Sequence, residues 1–364
     1  MGFNCGIVGL PNVGKSTIFN ALTKGKAPAA NYPFTTVHPN VGIVSVEDER
    51  LVRITGLSPA QKVTMTHMEI VDIAGLVKGA SSGEGLGNQF LSHIGGVDAL
   101  LHVVRVFTDD NVTHVTGTVD PVRDVEIVRT ELMLKDLEVL SKVKERLEKA
   151  ARGQDKQAAL QLASVIKAMD LLNKGKNIRS ALSEEELIQL KGFQLLTLKP
   201  VLYVANVAES EVTGEAAGAL KELEAIASEE GSEVLRIAGK IEEEISEIED
   251  AERGDYLKSI GLEESGLDRL VRAGYRLLGL ITFFTTSDKE NRAWTLLRGS
   301  RAPQAAGKVH SDFERGFIRA EVTSYDDFIA CGGEHGARER GRLRTEGRDY
   351  LVQDGDIIYF HFSA

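Results

Sequence analysis

The stretch Gly9-Leu10-Pro11-Asn12-Val13-Gly14-Lys15-Ser16 decides how the rest of the chain is read. It matches G-x-x-x-x-G-K-[ST], a loop in which backbone N–H groups cradle phosphates. The context agrees: residues 3–9 read as a short apolar strand, and a helical pattern runs from Lys15 to Lys24. Glycines let the main chain approach an anion without a Cβ in the way, and the helix N-terminus adds its positive end. In such a loop Lys15 reaches the β- and γ-phosphates and Ser16 places its hydroxyl on Mg²⁺. The alternative is a strand-to-helix turn with no ligand, and two further motifs in the right order argue against it.

Working outward, Asp72-Ile73-Ala74-Gly75 closes a second apolar strand, Met68 to Ile73. Asp72 there can hold the metal through water, and the Gly75 N–H can sense a γ-phosphate. Thr36, in Pro33-Phe34-Thr35-Thr36, lies between the first helix and the next strand, where a threonine can complete the metal shell. Val41 to Val46, Ala99 to Val106, Pro200 to Ala205 and Glu233 to Ile237 read as further strands. Short apolar strands alternating with helices predict a parallel sheet covered on both faces. Between about Asp124 and Gly192 the strand signal is lost. Val125, Val128, Leu132, Val139, Val143 and Leu147 recur at helical spacing, as do Leu162, Ile166, Met169 and Leu172 after Gly153. This predicts an antiparallel helical hairpin inserted into the sheet domain. After Gly279 the segments 281–285, 293–297, 317–323 and 357–362 are β-rich and predict a small α+β domain.

The chain of 364 residues is longer than a single core usually holds, so two or three domains are expected. Its 42% hydrophobic and 27% charged residues exclude a mainly disordered or collagen-like protein. Cys5 and Cys331 are too few for a disulfide scaffold or a cysteine-rich zinc module. The net charge of −11 is uneven. Residues 205–268 carry 19 acidic and 5 basic residues, whereas 135–179 carry 11 basic and 6 acidic. The basic hairpin and the run Arg338, Arg340, Arg342, Arg344 and Arg348 are therefore candidate RNA contacts, although charge runs are more often solvated faces. Residues 1–6 lack a secretory pattern, the last residues are no prenylation box, and the apolar run 99–107 is broken by His102 and Arg105. A cytoplasmic protein with no membrane contact and no DNA partner is expected.

Guanine-specific relatives of the P-loop fold end a later strand with Asn-Lys-x-Asp. Here the equivalent strand runs into Asn206-Val207-Ala208-Glu209. Val207 replaces the lysine, and Glu209 is one methylene longer than the aspartate. A site that has lost a specific hydrogen-bond pair discriminates poorly. Asn206 and the Val207 backbone can meet an adenine 6-amino group, and Glu209 can still accept from guanine, so the base stays open at this point. A second departure is Leu76, which stands where Ras-type enzymes place a water-orienting glutamine. Slow intrinsic hydrolysis follows unless another group substitutes. Asn12 can coordinate a K⁺, and His114 can orient water from the loop after the fourth strand; a surface or capping histidine is an equal alternative there.

Gly9 to Thr17, Asn31-Tyr-Pro-Phe-Thr-Thr36, Val71 to Ala80, Gly83 to Leu91, Leu196-Thr-Leu-Lys-Pro200 and Ala302 to His310 resemble the YchF / Obg-like ATPase family across nearly the whole chain. The resemblance implies an Obg-type P-loop domain over 3–278, a helical coiled-coil insertion over 123–198 and a TGS domain of β-grasp fold over 279–364. It further implies ATP preference, slow turnover and association with the ribosome, through the large subunit or the whole particle. By position it puts ATP contacts on Asn12, Val13, Gly14, Lys15, Ser16 and Thr17, Mg²⁺ ligands on Ser16 and Thr36, adenine contacts on Asn206 and Val207, and a catalytic-loop histidine on His114. An Obg-class GTPase and a nucleotide-binding ribosome scaffold with negligible turnover are the competing readings. Thr35 stands where bacterial members often have cysteine, so thiol-based regulation at that position does not carry over.

Overall fold

The computed structural model describes residues 3–24, 41–73, 94–109, 112–214 and 218–363. Thr36 and the whole glycine-rich stretch 75–87, with Gly75 and Leu76, lie outside them. The chain divides into two compact units, one of residues 3–42 and 69–270, the other of residues 1–2, 43–68 and 271–364.

In the first unit, strand β1 (Asn4–Val8) leads through the phosphate loop into helix α1 (Lys15–Lys24); the next described strand of the chain is β2 (Val41–Val46). β1 pairs in parallel with residues 69–72 on one side and with β5 (Ala99–Arg105) on the other. Parallel pairing continues to β6 (Val201–Asn206) and β7 (Glu233–Ile237). All seven residues of β5 are buried, as expected of a central parallel strand covered on both faces. Helix α3 (Pro121–Arg152) starts at an Asp120 cap with Pro121 in its first turn, and α4 (Lys156–Asn173) returns after Gly153. Leu140, Leu147, Val165, Ala168 and Leu172 form a core of their own between them. The predicted hairpin is thus present, with its return leg continued by two short helices, 178–181 and 184–190.

Leu196-Thr-Leu-Lys-Pro200 is a joint. The buried Asp136 carboxylate on α3 accepts from Leu196 N (2.8 Å), Thr197 N (2.8 Å) and Thr197 Oγ1 (2.6 Å). Lys199 Nζ donates to the carbonyls of Gly95 (3.2 Å) and Val97 (2.5 Å). The motif therefore returns the chain from the hairpin to β6 with its polar groups satisfied, the requirement on any buried connection.

The second unit is built on a sheet of order β11-β10-β12-β8-β9-β3. Its strands are β8 (Leu280–Thr285), β9 (Glu290–Leu297), β10 (Phe317–Thr323), β11 (Arg344–Glu346), β12 (Ile357–Phe362) and β3 (Lys62–Thr64). β8 and β12, from the two ends of the segment after residue 279, pair in parallel at the centre, each with an antiparallel partner outside it. That is a β-grasp arrangement. The helix 302–309 packs Ala302, Ala305 and Ala306 against Phe283, Ala320 and Phe360. The helix α2 (Glu49–Leu57) and strand β3 were not anticipated from sequence. Leu51 and Ile54 of α2 pack with Phe284, Phe328 and Ile357, while β3 extends the sheet alongside β9. Among the described residues, no helix is long and apolar enough to cross a membrane.

Candidate nucleotide-binding site

The site lies where the parallel strands of the first unit end, at the carboxyl edge on which α/β sheets bind ligands. The phosphate loop leaves β1 with Gly9 at φ +150°, Asn12 at +63° and Gly14 at +98°. Gly14 has no room for a side chain: a Cβ there would stand 2.2 Å from Asn206 Nδ2. α1 opens Lys15-Ser16-Thr17-Ile18, with no carboxylate in the first turn to compete for its N-terminal charge.

Lys15 is 7% exposed, and its Nζ donates to the Leu10 carbonyl at 2.7 Å. Burial lowers its pKa to about 8, with the Asp72 carboxylate pulling the other way. Asp72 closes strand β4 (Thr66–Asp72) beside Ile7. Partial burial raises its pKa, and Lys15 lowers it. The two groups so placed are a cation and a carboxylate, the kinds of group that bind phosphate and a divalent metal.

A cavity of about 790 Å³ opens over this loop. Asn12, Gly14, Lys15, Ser16 and Thr17 line one end. The other is walled by Phe107, Thr108, Asp109 and Val112 after β5, by Asn206 to Ser210 after β6, and by Ala238, Gly239, Lys240 and Glu243 after β7. Phosphate loop and base corner thus share one space, of a size that suits a small-molecule ligand.

Asn206 ties the walls together. Its Nδ2 donates to Val13 O at 3.0 Å, and its Oδ1 accepts from Gly239 N at 3.0 Å. Its own carbonyl accepts from Val106 N (2.9 Å) and Phe107 N (3.2 Å). Both amide atoms of this 4%-exposed side chain are therefore engaged. That leaves the second lone pair of Oδ1 as the side chain's remaining acceptor capacity. The Val207 side chain packs into the core, while Glu209 is exposed at the cavity edge.

His114 is placed differently from the other candidates. It is buried and is not among the described residues lining the cavity. Its Nδ1 accepts from Thr116 N (3.3 Å) and lies 2.8 Å from Thr116 Oγ1. With Nδ1 an acceptor, Nε2 carries the proton and faces Asp124 Oδ2 at 2.8 Å. Burial raises the Asp124 pKa, which His114 and Arg123 lower again. The loop still touches the site, because Asn12 Nδ2 donates to Thr113 O at 3.2 Å. Thr36 and Leu76 lie outside the described residues. Sequence reasoning missed Phe107, Ala238, Gly239 and Lys240; each follows the end of a parallel strand, which was the one available clue.

Among the described residues, no group of three or more His, Cys, Asp or Glu side chains could hold a metal ion. The donors at hand, the Ser16 hydroxyl and the Asp72 carboxylate, are oxygen ligands of the kind that suit Mg²⁺ completed by phosphate and water.

Two family profiles match the chain: one described as "50S ribosome-binding GTPase" over residues 4–140, and "YchF-GTPase_C", described as a protein of unknown function, over 280–363. A ribosome-binding ATPase YchF from Haemophilus ducreyi is 51% identical over 365 residues, and one from Bacillus subtilis is 50% identical over 366, each covering 100% of both chains. The solved structure of the Schizosaccharomyces pombe YchF GTPase aligns over 99% of this chain and 98% of its own, with a TM-score of 0.89 at 36% identity.

Proposed function

Because this chain belongs to the YchF family, we infer that it is a P-loop ATPase that binds the ribosome. The observation that carries the reading is the shared cavity: Lys15 at its phosphate end and the 206–210 corner at its base end. Mg²⁺ would be held by Ser16, by Asp72 through water and by Thr36, and would neutralise charge on the phosphates. Asn12 is the residue for a K⁺. Its amide nitrogen is used on Thr113, which leaves its carbonyl oxygen to offer.

Slow intrinsic turnover follows from Leu76 in the place of a water-orienting side chain. His114 is the group we assign to that task. As placed it is held by Asp124 and Thr116, so the role requires the 112–118 segment to release it. We assign residues 3–278 to the P-loop domain, 123–198 to its helical insertion and 279–364 to a TGS-type domain, with 43–68 and 271–278 of the first range packing in the second compact unit. A protein that works on ribosomes belongs in the cytoplasm.

The names of relatives divide between ATPase and GTPase, so competition between the two nucleotides is the deciding measurement. ATP is expected to bind at least about tenfold tighter than GTP, since the corner lacks the lysine and aspartate that make guanine recognition selective. Equal affinity would return the protein to the GTPase reading. Phosphate release that ribosomes and K⁺ leave unchanged would favour a scaffold.

For the ribosome, the matched "50S" description supports the large subunit. The basic hairpin and the arginine run are the RNA contacts we propose. Arg340 and Arg342 are exposed, and the ion pairs of Arg342 with Asp327 (3.7 Å) and of Arg344 with Glu346 (3.9 Å) are long. Such pairs hold little of the charge back from a partner. Arg340→Glu, Arg342→Glu and Arg344→Glu together are expected to weaken ribosome co-sedimentation, increasingly as salt rises. Unchanged pelleting would remove this patch from the interface.

A further inference from the structure

Arg105 ends β5, a strand apolar but for it and His102, and is 1% exposed. Among the described residues its guanidinium makes three hydrogen bonds, each to a backbone carbonyl that follows it in the chain. Nε donates to Phe107 O (3.2 Å), Nη1 to Val112 O (3.0 Å) and Nη2 to Asp109 O (3.2 Å). The guanidinium carbon also lies 4.5 Å from the centroid of the Phe107 ring. Burying a charge is expensive unless its donors are satisfied, and here one short loop supplies the acceptors.

Those three residues line the nucleotide cavity, whereas Arg105 itself is not among its described lining residues. Arg105 pairs with Asn206 across β5 and β6, and the Asn206 carbonyl receives Val106 N and Phe107 N. The start of the loop is thus fixed from the strand side and its return from the guanidinium. A planar five-donor fork holds three carbonyls in one geometry; an ammonium on a flexible stem does not. We propose that Arg105 is the positioning residue of the cavity's base wall. It fixes the carbonyls of Phe107, Asp109 and Val112 so that a purine meets a formed surface, without touching the nucleotide. The proposal rests on the nucleotide-site reading above.

The test uses the full chain and two probes, Mg·ADP and Mg·tripolyphosphate, titrated calorimetrically. Tripolyphosphate engages the phosphate loop but has no base. In Arg105→Met, ADP affinity is expected to fall by about tenfold or more while tripolyphosphate affinity holds within about twofold, because only the supporting shell of the wall is lost. Arg105→Lys keeps the charge and most of the volume, and is expected to lose the same selectivity while melting close to the wild type. A merely structural role would lower both affinities together with the melting temperature, and that outcome overturns the proposal, as does failure of both variants to fold. An ADP-to-tripolyphosphate ratio unchanged in folded variants overturns it too, leaving the site reading intact. A wild-type protein that binds ADP no better than tripolyphosphate would sink the base pocket itself.

Discussion

Replacing Lys15 by methionine is expected to reduce affinity for Mg·ATP by roughly two to three orders of magnitude, on the scale of a lost buried charge-assisted contact of several kcal/mol. Methionine keeps most of the buried stem and removes the ammonium, so packing beside Leu10 is largely preserved. The ammonium bonds the Leu10 carbonyl, a neutral acceptor; an anionic phosphate is the stronger acceptor, and the variant has no donor to offer it. Isothermal titration of the two proteins checks this. A variant that keeps wild-type heats and affinity would remove the phosphate loop as the anchor of the function.

The same residue sets a pH dependence whose sign can be worked out. Free Lys15 has a pKa lowered to about 8 by burial. A bound polyphosphate favours the charged form, so binding raises that value again. Between the free and bound pKa the complex holds more protons than the free protein, and binding takes up a proton. Affinity therefore falls as pH rises above about 8. Titrations near pH 8.5 in buffers of different ionisation enthalpy should show net proton uptake in the wild type and none through this group in Lys15→Met.

How much of this could be read beforehand differs from residue to residue. The phosphate loop was legible because its glycines, lysine and serine act locally, within one turn and one helix start. The hairpin was legible because a 3.6-residue period persists over many turns. Asn206 was legible as a member of the site but not in its role. Its two amide bonds reach Val13 and Gly239, at sequence separations of 193 and 33, and only the parallel register brings them together. Phe107 and Lys240 escaped for the same reason: each meets the cavity through the strand order, not through a local pattern. The pairing of His114 with Asp124 needed the first turn of α3 to be placed against the loop after β5. The docking of Leu51 and Ile54 against Phe284 joins residues more than two hundred positions apart. A short amphipathic helix between two strands gives no hint of which sheet it will cover.

Gly14→Ala is expected to be the most damaging single change at the site, and Asn206 explains how it can be dissected. Two separate penalties meet at this position. At φ +98° an L side chain is strained by about 1–3 kcal/mol. The new methyl would also stand 2.2 Å from Asn206 Nδ2, and forced overpacking costs about 1–3 kcal/mol more. Asn206 cannot yield freely, because it would have to give up Val13 O or Gly239 N. Asn206→Ala alone leaves those two buried groups without a partner, at about 1–3 kcal/mol each. In the double variant the clash is gone and the backbone strain remains. The two changes should therefore be less than additive by about the overpacking part, 1–3 kcal/mol. Urea unfolding of the four proteins, with nucleotide affinity measured in parallel, closes the cycle. Strict additivity would mean that Asn206 does not rest against the loop, and the tie between the phosphate end and the base end of the cavity would have to be abandoned.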